Sequence, residues 1–146
     1  MHTFLVPIAN MAARTKRAPR SAATVLVVED DDTTRRLYSD ALVAAGYEAI
    51  AIGDGIGALL YLESHPAPDA VVLDLLLPRV SGHVVYDELR SRKTTRTTPV
   101  VIVTGVELPR FAMDEYVTTL RSPIDGKALV AAVAAALRET PSPPVA

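Results

Sequence analysis

The chain has 146 residues, nearly half of them apolar, with no cysteine and no tryptophan. That length suits one domain whose core needs no disulfide or metal staple, and the lack of cysteine excludes disulfides, thiolate metal centres and cysteine nucleophiles together and fits a reducing cytoplasm. A formal net charge of −2 gives no electrostatic case for nucleic acid as a partner, the aromatic content is too low for a single-strand stacking platform, and no apolar run reaches the length of a membrane span.

Residues 1–22 read as a disordered basic extension. The apolar stretch at 3–9 is short and broken by Pro7, and Arg14, Lys16, Arg17 and Arg20 follow it, whereas a secretory signal carries its positive charge first. Residues 23–139 hold the domain. The last seven, Thr-Pro-Ser-Pro-Pro-Val-Ala, form a disordered proline-rich tail too short for a further domain.

Within the domain, strand and helix signals alternate. Residues 25–28, Val-Leu-Val-Val, have the continuous apolar character of a strand buried on both faces. Asp32 or Thr33 is placed to cap the next helix, whose apolar positions Leu37, Ala41, Leu42 and Ala45 recur at helical spacing until Gly46 stops it. Residues 48–52 read as a second strand, Asp54-Gly55 as a turn, and Ile56, Leu59 and Leu60 as a second helix ending before His65-Pro66. Residues 70–73 are a third strand that delivers Asp74 at its end. A loop with Pro78 and Gly82 leads to a helix through Val84, Val85, Leu89 and Arg90. Pro99 precedes a fourth strand, 100–103, which ends at Thr104-Gly105. A short helix is predicted over 109–116, a fifth strand over 117–120, and a last helix capped by Asp125 with Leu129, Val133, Ala136 and Leu137 as its apolar stripe. This alternation predicts a doubly wound α/β fold with a five-stranded parallel sheet covered on both sides. In such sheets the functional site lies beyond the C-terminal strand ends, at the switch in strand order. The residues there are Glu29 and Asp30, Asp74, and Thr104.

Four acids in a row, Glu29-Asp30-Asp31-Asp32, follow the first strand. Helix capping and the helix dipole account for Asp32 and in part Asp31, but not for Glu29 and Asp30. Adjacent carboxylates repel, and a cation would hold them together; hard oxygen donors with no His or Cys nearby point to Mg²⁺ rather than zinc. Asp74 stands in Val-Val-Leu-Asp-Leu-Leu-Leu-Pro, where burying a lone acid is costly unless it is paired or metal-bound.

Three segments carry a family resemblance: Val25-Leu-Val-Val-Glu-Asp-Asp, Val72-Leu-Asp-Leu-Leu-Leu-Pro with Ser81-Gly82 behind it, and Val101-Ile-Val-Thr-Gly. They lie in order, with 44 residues from Asp30 to Asp74 and 30 from Asp74 to Thr104. Together they resemble the receiver domains of bacterial two-component response regulators, over roughly residues 24–138. The resemblance implies a flavodoxin-like, CheY-like fold with strand order 2-1-3-4-5. It implies Asp74 as the phospho-acceptor, Glu29, Asp30, Asp74 and the backbone carbonyl of Leu76 as ligands of Mg²⁺, and Thr104 as a hydrogen-bond donor to the phosphoryl group. The chain is then expected to be no enzyme in its own right but a stand-alone, cytoplasmic phosphorelay receiver. Its partners would be a sensor histidine kinase or phosphotransfer protein and a downstream protein that the sequence does not name.

The chain also departs from the family. Receivers carry a Lys before a Pro after strand five; here Ser122 precedes Pro123, with Arg121 one place away as a possible substitute cation. The switch aromatic falls on Thr119. The interval from Thr104 to Ser122 is short by about one helical turn, so the fourth helix, between strands four and five, is expected to be shortened or missing. The Ser122–Pro123 bond is expected to be cis, as in the family. These departures allow an alternative, a pseudo-receiver that docks without phosphorylation. A phosphatase using an Asp nucleophile would need a second Asp two residues on, where Leu76 cannot transfer a proton.

Overall fold

The computed structural model describes residues 22–105, 111 and 113–139. The expected disordered segments, 1–22 apart from Ala22 itself and 140–146, lie outside them. Five strands form one sheet: β1 (Thr24–Val28), β2 (Glu48–Ile52), β3 (Ala70–Asp74), β4 (Val100–Thr104) and β5 (Val117–Arg121). All neighbours pair in parallel, in the order β2-β1-β3-β4-β5. Four helices are described: α1 (Asp32–Ala44), α2 (Gly55–Ser64), α3 (Gly82–Ser91) and α4 (Gly126–Glu139).

The central strands are apolar at every interior position because both faces of the sheet are covered. Val25, Val27, Val72, Val101 and Val103 point to one side, where Tyr38 and Leu42 of α1 and Leu129 and Val133 of α4 close over them. Leu26, Val28, Val71, Leu73 and Ile102 point to the other, against Ala58 and Leu62 of α2 and Val85 and Leu89 of α3. Each fully buried Leu or Val removed from such a core typically costs several kcal/mol, up to about 5, so both helix layers are needed to hold the strand ends in register.

Several local expectations shift by one residue. Asp31 rather than Asp32 or Thr33 caps α1, its carboxylate accepting the Thr34 amide at 2.8 Å. The buried stripe of α1 then runs through Tyr38 and Leu42, and Leu37, one position off it, is exposed. Asp54 is a helix cap, accepting the Gly57 amide at 2.6 Å, so Asp54-Gly55 starts α2 directly. Gly46 ends α1 as expected, in the left-handed region at φ 98°. Val84 is exposed while its neighbour Val85 is buried.

Among the described residues no α-helix stands between β4 and β5; Phe111 has 3-10 geometry and residues 113, 115 and 116 lie in turns. The rest of the predicted 109–116 helix falls on residues outside those described. Phe111 is buried and packs its ring edge-on to Tyr86 of α3, with centroids 4.8 Å apart. Asp114 is tied to the same helix: Arg90 Nε donates to it at 2.7 Å, and the Tyr86 hydroxyl donates to the same carboxylate oxygen. Burial alone would raise the Asp114 carboxyl, but the Arg90 and Tyr86 hydrogen bonds outweigh it and hold the group below its usual range. Arg90 Nη1 also reaches the Thr98 carbonyl at 2.9 Å. The buried ring and the largely buried ion pair thus fasten the connection to α3.

Candidate functional site

Parallel pairing brings the C-terminal ends of β1, β3 and β4 to one edge. Val28 is level with Leu73, and Asp74 with Val103. The chain leaves β1 toward β2 on one side and β3 toward β4 on the other, which opens a crevice between them. A cavity of about 630 Å³ lies there, lined by Glu29, Asp30, Asp74, Leu76, Thr104 and Ser122 among others.

Each acid is delivered by a different local cause. The apolar run of β1 leaves Glu29 as the first residue free to turn, and its side chain stays buried. Its carboxylate accepts the Asp31 amide at 3.0 Å. Asp30 is exposed. The sequence treats these two neighbours as an equivalent pair; the structure makes one an interior and the other a surface carboxylate. Asp74 ends β3 half-buried, and its Oδ1 accepts the Leu76 amide at 2.9 Å.

The three carboxylates form a tight group, each offering an oxygen within 4.8 Å of the other two. Burial, followed by the nearby charge of Asp74, pushes Glu29 up to about 7, against the lowering effect of the Asp31 amide. Burial also raises Asp74, with the charge of Asp30 adding to it and the Leu76 amide opposing. Tyr38 beneath the cavity is raised by burial and by the same two carboxylates, Glu29 and Asp74. An arrangement that penalises its own charges in this way is one a cation would relieve. The donors are all oxygen, so the group that fits them is a hard divalent ion such as Mg²⁺.

Ser122 and Pro123 also line the cavity, and their peptide bond is cis. The Ser122 amide donates to the Thr104 carbonyl at 2.8 Å, which sets Ser122 beside Thr104. Arg121 is level with Thr104 on β5, but neither it nor Thr119 is among the lining residues. Successive strand residues face opposite ways, so placing Ser122 at the cavity turns Arg121 from it.

The structural part played by two contributors is not readable from the sequence. Gly82 is required by contact: a Cβ there would sit 2.3 Å from the Asp74 carbonyl oxygen and 2.6 Å from the Leu75 Cα. Its place in the Ser81-Gly82 signature was visible, but its reason was not. Arg35, one turn into α1, donates from Nη1 to the Glu29 carbonyl at 2.9 Å. The only signal for it in the sequence was its spacing three residues after Asp32.

Comparison with known proteins agrees with this geometry. Residues 25–134 match the response regulator receiver domain family. The chain is 37% identical over 122 residues to the sensory transduction protein RegX3 of Mycolicibacterium smegmatis, covering 79% of this chain and 50% of that protein. It is 37% identical over 82 residues to the polar-differentiation response regulator DivK of Brucella ovis, covering 56% of this chain and 66% of that one. The chain thus spans half to two thirds of these relatives. Among solved structures, a sensor protein from Polaromonas superposes with TM-score 0.73 at 27% identity, over 82% of this chain and 98% of that one. The signal receiver domain of a histidine kinase from Syntrophus aciditrophicus gives 0.70 at 26% identity, over 86% and 99%.

Proposed function

Since the chain belongs to the response regulator receiver domain family, we propose that it is a phosphorelay receiver that accepts a phosphoryl group on Asp74 and signals by protein–protein contact. The observation that carries this reading is the meeting of Glu29, Asp30 and Asp74 at the sheet edge, with Thr104 lining the same cavity. The donor would be a histidine kinase or phosphotransfer protein in the cytoplasm. Among the described residues no helix is long and apolar enough to cross a membrane.

The chemistry follows from the positions. Asp74 Oδ1 is held by the Leu76 amide, which fixes the carboxylate and leaves Oδ2 to act as nucleophile. A bond forms from Oδ2 to phosphorus as the donor's bond to phosphorus breaks, and the donor's nitrogen or oxygen leaves with that electron pair. Little covalent help is needed; positioning and charge neutralisation supply most of the rate. Glu29, Asp30, Asp74 and the Leu76 carbonyl would hold Mg²⁺, which when bound neutralises charge between two anions. Thr104 donates its hydroxyl to a phosphoryl oxygen and so registers the modification on β4. Glu29, set back from solvent, tunes the charge of the group rather than touching the donor.

The test is intact-mass measurement after incubation with acetyl phosphate, with and without Mg²⁺. One phosphoryl group should add in the wild type only when Mg²⁺ is present, and none in Asp74→Asn. Equal phosphorylation of Asp74→Asn, or no dependence on Mg²⁺, would overturn the reading.

A further inference from the structure

The acidic loop has no covalent constraint, yet it must keep two adjacent carboxylates beside a third. We propose that Arg35 is the positioning residue that does this: it braces the peptide backbone of Glu29 and Asp30 and thereby sets the site's affinity for its divalent cation. This rests on the metal-binding reading given above.

The guanidinium works from behind the loop. Nη1 donates to the Glu29 carbonyl at 2.9 Å and reaches the Asp30 carbonyl at 3.4 Å. Nη2 pairs with Asp32 Oδ1 at 2.5 Å. Arg35 does not line the carboxylate cavity; it lines a separate depression with Asp32, Ser39 and Ala51. It therefore draws two successive carbonyls to the side opposite the cavity. On the cavity side, the turn this imposes places the Asp31 amide on the Glu29 carboxylate at 3.0 Å.

The brace is itself supported. Its own amide donates to the Asp31 carbonyl at 2.8 Å, so the side chain starts from the first turn of α1. Glycine at position 53 leaves it room: a Cβ there would lie 3.1 Å from Nη1. The Glu29 amide donates to the Ile52 carbonyl at 3.1 Å, so the guanidinium sits in the corner between the ends of β1 and β2. Lost, it would leave two carbonyls short of a donor. The repulsion among the carboxylates would then be free to swing Asp30 toward solvent, because nothing else described holds the Asp30 carbonyl.

Arg35→Met keeps an unbranched apolar stem and removes every donor. In metal-free protein the Asp31 amide resonance should move toward its unstructured position and its solvent exchange should quicken. The Mg²⁺ dissociation constant from calorimetric titration should rise about tenfold, as for loss of one or two hydrogen bonds. Arg35→Lys, with one donor able to reach one carbonyl, should restore part of both. Asp32→Asn, which touches only Nη2, should leave both near wild type. Gly53→Ala provides a milder displacement and should shift both readouts the same way by less. An unchanged Asp31 amide and unchanged Mg²⁺ affinity in Arg35→Met, even with a lower melting temperature, would reduce Arg35 to a structural tie and overturn the proposal. If the wild type binds no Mg²⁺, the metal reading fails and the affinity claim falls with it; the Asp31 amide then decides the brace alone.

Discussion

The Ser122 amide donates a 2.8 Å hydrogen bond to the Thr104 carbonyl and so sets Ser122, which the resemblance aligns with the family's lysine, beside the acidic cavity. With Ser122 there, the cavity is lined by three carboxylates and by no lysine or arginine among the described residues. A phosphoryl group entering it meets one cation fewer than in the family pattern. Charge-assisted hydrogen bonds contribute roughly 1.5–3 kcal/mol each. Ser122→Lys should therefore tighten binding of beryllofluoride, a phosphoryl mimic, by about tenfold or more. In the same variant, amide shifts should spread further into α4. Identical affinity and shift pattern in both proteins would show that this position is not in contact with the bound anion.

Asp30→Asn removes a proposed charged ligand from the exposed side of the site, while Thr104→Ala removes only the hydroxyl. The first should weaken Mg²⁺ binding by about tenfold or more, on the scale of one charged interaction. The second should leave Mg²⁺ binding unchanged and weaken beryllofluoride binding. Calorimetric titration of each ligand into each variant separates the two roles. An undiminished Mg²⁺ affinity in Asp30→Asn would place the ion elsewhere.

Glu29 has a sign that can be checked. Burial raises it from an ordinary 4.5 to about 7, so between those values the folded chain holds a proton that the unfolded chain has released. Stability from this group is therefore fully present below about pH 4.5 and is lost as pH rises through 7. Asp74, also raised, adds in the same direction. Without metal, the urea midpoint should fall from pH 5 to pH 8, and Glu29→Gln should flatten the profile. Added Mg²⁺ should oppose the fall, because it binds the ionised form. A midpoint that rises over this range in metal-free wild type would contradict the assignment.

The Arg90–Asp114 pair lies in a largely buried setting, with both side chains under one-fifth exposed. Removing one partner from such a pair leaves a charge without compensation and typically costs about 3–5 kcal/mol. Asp114→Ala should lower stability on that scale and release the Tyr86 hydroxyl, while Arg90→Met/Asp114→Leu together should recover much of it. A chemical denaturation series over the two singles and the double gives the coupling directly. A coupling near zero would mean that the ion pair does not fasten the connection.

The strands were legible because their cause is local: Val-Leu-Val-Val and Val-Val-Leu are apolar without interruption only if both faces of the sheet are covered. The strand order and the meeting of Glu29, Asp30 and Asp74 followed from the family resemblance and the rule for strand-end sites. What escaped was set by contacts between segments distant in sequence. Leu37 and Tyr38 are both apolar at helical spacing, and only the packing against Val72 and its neighbours decides which turns inward. Gly82 is fixed by the backbone of Asp74, which no pattern around position 82 reveals. Arg35 acts on carbonyl oxygens, and main-chain acceptors leave no trace in a sequence. The shortening expected between strands four and five was legible from the interval between Thr104 and Ser122, but the fastening of Phe111 and Asp114 by Tyr86 and Arg90 was not, because those partners lie on a distant helix.

Asp74, and neither Glu29 nor Asp30, is the residue proposed to become the acyl phosphate. Borohydride reduction of an aspartyl phosphate converts that residue to homoserine, which peptide mass spectrometry locates. After acetyl phosphate and Mg²⁺, followed by reduction, homoserine is expected at position 74 alone. Reduction at position 30, a reduced glutamyl product at position 29, or no reduced residue in a chain that binds Mg²⁺, would contradict the account and leave the fold as a docking module.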